Sequence, residues 1–117
     1  MKQIISLLTL CAIIHAQQVV LTLDAPAANI TGLATSADAL WAVSSSETTV
    51  YRLDPQTGAI VSSFSCKADD DKLVPTGLGY AKERVYVAQW TGIVNGACRA
   101  FQYMPSGEYK GKTVLSC

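Results

Sequence analysis

Charge is scarce in this sequence. Only 15% of its 117 residues are Asp, Glu, Lys or Arg, and the nine basic side chains equal the nine acidic ones. Without clustered positive charge there is no surface to neutralise nucleic-acid phosphates and no electrostatic hold on anionic lipid. No nucleic-acid partner is therefore expected. Histidine is nearly missing as well, with His15 the single example. Long apolar runs are confined to the first sixteen residues. No later stretch approaches the roughly 18 apolar residues that a membrane-spanning helix needs, and none shows a sustained helical period. What remains is a composition that is 50% hydrophobic, that of a globular chain rather than a disordered one, and long enough for one modest domain.

The first sixteen residues read as a targeting segment. Lys2 supplies a positive start, an apolar run from Ile4 to Ile14 is broken only by Ser6 and Thr9, and Ala16 offers a small residue for cleavage. This is the three-part secretory pattern, and the run is too short to span a bilayer. A buried core helix or an uncleaved anchor would be the alternatives. Residues 1–16 are thus expected to be a signal peptide and Gln17–Cys117 the secreted, extracellular product. Cleavage would remove His15, leaving no partner for a Ser-His-Asp or Cys-His pair and no His-containing zinc site. No catalytic residue, metal site or cofactor is assigned.

A repeat organises the rest. Thr31-Gly32-Leu33 recurs as Thr76-Gly77-Leu78, and Leu40-Trp41-Ala42-Val43 as Val85-Tyr86-Val87-Ala88, each 45 residues on. Tyr51–Pro55 matches Phe101–Pro105, and Phe64-Ser65-Cys66 matches Leu115-Ser116-Cys117, with Gly92–Gly96 as the insertion in the second copy. Each copy reads as four short strands of β-branched, aromatic and small residues separated by turn residues. The strands are predicted at about 30–34, 40–44, 49–53 and 60–66, then 76–80, 84–89, 99–104 and 113–117. Asp54–Gly58 and Pro105–Gly107 are hairpin turns, proline presetting φ and glycine taking the φ > 0 position.

A period near 45 with four strands per repeat is the signature of propeller blades. The expected fold is all-β and β-propeller-like, with blade 1 at residues 29–66 and blade 2 at 74–117. Val19–Leu23 would be one orphan strand ahead of them. A small β-sandwich would explain the strand count but not the repetition. These motifs resemble the NHL-type and gluconolactonase-like propeller repeats over about residues 18–117. Two blades leave apolar faces open, because propellers close with four to eight. Self-association, or further blades in a longer protein, would then be needed to complete a ring.

Several residues invite a chemical role. Trp90 and Thr91, with the loop after them, and Asp70 within the linker run Asp69-Asp70-Asp71, are expected near a ligand-binding face. A tryptophan beside polar groups can stack on a sugar or peptide; the alternative, and the favoured one, is that Trp90 packs on the neighbouring blade. Trp41 is expected in the core. Arg52, Arg99 and Glu47 read as ordinary strand-edge charges. Cys66, Cys98 and Cys117 remain after cleavage, an odd count. A symmetric hairpin over Pro105–Lys112 would oppose Cys98 to Cys117, the expected disulfide. Asn29-Ile30-Thr31 is a glycosylation sequon, so Asn29 is the candidate acceptor.

Three functions are open at this point. One is a secreted propeller-type module binding a protein or glycan. Another is a propeller enzyme of the gluconolactonase-like or lyase-like class. The third is a truncated, non-functional product. The Glu-Gly-Pro-type opening of the gluconolactonase-like class is absent, with Asn29-Ile30-Thr31-Gly32 in its place, so that resemblance transfers no catalytic residue.

Overall fold

The computed structural model describes residues 22–66, 73–92 and 98–115. Residues 1–16, read above as a signal peptide, and Val19–Leu21, Asp70 and Cys117 lie outside this range. Eight strands form two sheets: β1(Ile30–Thr35), β2(Leu40–Ser44), β3(Thr49–Leu53) and β4(Ile60–Ser65), then β5(Val74–Ala81), β6(Arg84–Trp90), β7(Cys98–Tyr103) and β8(Tyr109–Leu115). Each sheet is an antiparallel meander in chain order, β1-β2-β3-β4 and β5-β6-β7-β8. Among the described residues no helix is long and apolar enough to cross a membrane.

Turn chemistry sets the hairpins. The Asp54 carboxylate accepts hydrogen bonds from the amides of Gln56 (2.8 Å) and Thr57 (3.2 Å), and Gly58 follows at φ 75°. Gly107 closes the corresponding turn at φ 97°. A β-bulge sits at the same place in each repeat, between Ile30 and Gly32 and between Pro75 and Gly77. Side chains alternate across a sheet, so the register assigns faces. Trp41, Val43, Val50 and Phe64 share one face of the first sheet, and Leu78, Val85, Val87, Phe101 and Tyr103 share one face of the second.

These two faces meet and make a single core. Trp41 stacks on Tyr80 with centroids 5.9 Å apart, and Phe64 lies against Tyr103 at 5.1 Å. Such aromatic pairs add about 0.5–1.5 kcal/mol beyond their area burial. Two polar links cross the same gap: the Thr31 hydroxyl donates to the Pro75 carbonyl (3.0 Å), and the Gln89 amide donates to the Cys66 carbonyl (2.8 Å).

The propeller expectation is not met. The described residues form two flat, open four-stranded sheets, neither curled into blades nor closed into a ring. A 45-residue spacing with tight hairpins specifies a meander, and it specifies it twice. Curling about an axis depends on strand twist and on contacts between sheets, and neither is written in a strand count. The NHL-type and gluconolactonase-like resemblance receives no support from this architecture. The readings built on the ring fall with it: the propeller-type module, the propeller enzyme and the truncated propeller. The orphan strand is also corrected at its described end, since Thr22 and Leu23 are not in a strand.

The final hairpin differs from the symmetric one. A register shift between Gln102 and Tyr103 places Cys98 opposite Leu115 rather than Cys117. The fourth strands therefore match with Phe64 equivalent to Thr113 and Cys66 to Leu115, two residues away from the sequence pairing. No disulfide joins two of the described residues: Cys66 is a buried free thiol, whereas Cys98 is disulfide-bonded, and its expected partner Cys117 lies outside the described residues.

Candidate functional site

Among the described residues, the outer face of the first sheet carries an apolar groove. Alternation that sends Trp41 and Val43 into the core sends Leu33, Leu40, Ala42 and Leu53 the other way. The irregular segment ahead of β1 lies along this face. The Ser44 hydroxyl donates to the Ala28 carbonyl (2.8 Å), the Ser45 amide donates to the Asn29 carbonyl (3.0 Å), and Leu23 packs where a side chain on Gly58 would otherwise stand. Between segment and sheet runs an open apolar groove of about 300 Å3. Ile30, Leu33, Leu40, Ala42 and Leu53 line it on the sheet side, Leu23, Ala25 and Pro26 on the segment side, and Asp24 brings the one charge. Leu33 is 63% exposed at its mouth.

Such a lining offers methyl and methylene groups, whose chemistry is burial. Removing apolar area from water stabilises by about 25 cal/mol per Å2. Groove burial would thus hold an apolar partner group, with Asp24 available to a cation or hydrogen-bond donor at the rim.

The residues expected to bind ligand lie elsewhere. Trp90 ends β6 on the outer face of the second sheet, in line with Tyr86 and Ala88, and it is partly exposed. Thr91 follows it, with a buried hydroxyl lacking a hydrogen-bond partner among the described residues. The structure brings these two side by side but not to the groove, and Asp70 lies outside the described residues. Asn29 is exposed with φ 55°, while the hydroxyl of its sequon partner Thr31 is committed to Pro75.

Several interactions had no sequence signal. Arg52, read as an ordinary edge charge, pairs with Asp38 at 3.0 Å and lies 5.5 Å from the Trp41 ring centroid. The indole Nε1 of Trp41 donates to the Ser36 hydroxyl at 3.1 Å. Glu47 accepts a hydrogen bond from the Tyr51 hydroxyl, which with partial burial and the Glu47 charge holds that phenol above its usual pKa. Burial pushes the Cys66 thiol up to about 11. The groove residues do have a sequence signal: the nearly continuous run Leu40–Val43 is apolar on both faces of its strand, as in a strand covered on both sides.

Among the described residues no three His, Cys, Asp or Glu side chains converge as a metal site would require. No protein-family model matches the chain, and no curated protein matches it significantly.

Proposed function

We propose that this chain is a non-catalytic interaction domain that takes an apolar partner surface onto the outer face of its first sheet. The observation that carries the reading is the groove itself, walled by aliphatic side chains, open beside exposed Leu33 and flanked by exposed Ile60, the strand partner of Leu53. Contiguous exposed apolar surface is characteristic of interaction sites. An aliphatic lining suits a protein surface better than a glycan, whose hydroxyls would need polar partners.

The test is uptake of the hydrophobic dye ANS by the folded protein in dilute solution. Dye fluorescence should rise while the near-ultraviolet circular dichroism stays native, and Leu33→Glu should remove most of the rise. Dye uptake unchanged by that substitution, or no uptake by the folded chain, rejects the reading.

The domain is proposed to act outside the cell, on the strength of Lys2, the Ile4–Ile14 run and Ala16. The intact mass of exported protein should correspond to a chain beginning at Gln17, and retention of residues 1–16 would refute this.

A further inference from the structure

The two sheets are repeats, so their mutual contact has a second, unused half. Matching bulges and registers make Trp41, Val43, Val50 and Arg52 of the first sheet equivalent to Tyr86, Ala88, Ala100 and Gln102 of the second. By the same registers Leu78, Val85, Val87 and Tyr103 are equivalent to Leu33, Leu40, Ala42 and Leu53. The core therefore joins one face of the first sheet to the non-equivalent face of the second. Among the described residues no sheet covers the complementary pair: the Tyr86 face of the second sheet, and the Leu33–Leu53 face, whose groove is bordered by Leu23–Pro26.

Building on the interaction-domain reading, we propose that the partner surface is a second copy of this chain, docking head to tail by laying its Tyr86 face on the groove face of the first copy, as Trp41 lies on the second sheet within one chain.

Two details of the internal contact have counterparts waiting at the open face. Gly32 lets the sheets approach so closely that a Cβ there would stand 2.7 Å from the Leu78 amide nitrogen. Gly77 holds the equivalent position, yet a Cβ there would meet only Ala88 of its own sheet, at 3.6 Å. Nothing among the described residues requires glycine at that site, whereas a docking strand would. Thr31 donates to the Pro75 carbonyl of the neighbouring sheet at 3.0 Å, while its equivalent, Thr76, makes among the described residues a long contact to Ala88 of its own sheet, 3.4 Å. In the head-to-tail contact Thr76 would reach the equivalent carbonyl, that of Ile30 in the second copy.

A head-to-tail contact leaves one face of each kind free, so it continues past two copies, unlike a two-fold dimer. Light scattering on the full chain, after size exclusion over a range of concentrations, should show a mass that rises beyond the dimer. Leu33→Glu and Tyr86→Glu should each give the monomer mass alone, with native circular dichroism. Mixed together, they retain one intact face each and should form a heterodimer that grows no further. Gly77→Ala should fold normally and also lose the assembly, so the test stands if Tyr86→Glu fails to fold. A wild-type chain that stays monomeric at every concentration overturns the proposal, as does a dimer that survives Tyr86→Glu. Folded variants that fail to pair when mixed overturn it too. Monomeric protein that still takes up the dye leaves the interaction-domain reading intact and rejects only the second copy as partner, whereas monomeric protein without dye uptake rejects both.

Discussion

At Cys66 a small apolar side chain and a titratable thiol are the same group. The residue is fully buried in the joint core, and its carbonyl receives Gln89 from the second sheet. Burial disfavours the thiolate, which is why the thiol is pushed from 9.0 to about 11. The folded pKa is thus the higher one. Its contribution to stability is whole below pH 9.0 and is lost as pH rises through about 11, because the unfolded chain releases this proton first. Urea unfolding of the wild type should lose stability over that window more steeply than Cys66→Ala. Equal slopes in the two proteins would show that the thiol does not sense the core. The sequence made Cys66 one of an odd set of cysteines but gave no hint of its partner carbonyl. The same holds for Arg52, whose chain position says strand edge while its neighbours Asp38 and Trp41 come from a different loop and strand.

Among the elements, strand positions were legible because each has a local cause. Leu40–Ser44 and Thr49–Leu53 form as expected, with β-branched and aromatic residues bounded by turn formers. The last hairpin was not legible, because a bulge inserts a residue without changing composition, and one bulge displaced the cross-strand partner of Cys98 from the expected Cys117 to Leu115. The junction of β1 with β5 is another place where backbone geometry outweighs side-chain chemistry. Gly32→Ala would press its methyl group on backbone atoms of Gly77 and Leu78, which cannot rotate away. Overpacking of this kind costs about 1–3 kcal/mol, and the melting temperature should fall by roughly 4 °C or more. Gly77→Ala, open on that side, should melt within a degree or two of the wild type, on the order of a surface substitution. Similar losses in both variants would mean that the close approach at Gly32 is not what keeps that site small.

For the molecule as a whole, two sheets share one core, with Trp41, Val43 and Val50 from one and Val85, Val87, Phe101 and Tyr103 from the other. Neither sheet could bury its apolar face alone, so the repeat is a stability device as well as a pattern. The groove face and the Tyr86 face follow from the same arithmetic, since two repeats have four faces and one contact consumes two. The expected site at Trp90, Thr91 and Asp70 presupposed a ring that would gather loops at one end. With two flat sheets, Trp90 instead stands on the outer face of the second sheet, and the apolar groove among the described residues lies on the far side of the first.

The all-β character, the eight strands, their grouping into two fours and the burial of Trp41 follow from local pattern, because alternation and turn residues act over a few positions along the chain. Which faces meet, how closely Gly32 brings them together, that the sheets stay open, and that a hollow forms under Leu23–Pro26 follow from contacts between residues far apart in the chain. Those contacts depend on twist, on bulges and on the volume of facing side chains, and none of the three is carried by any short stretch of sequence.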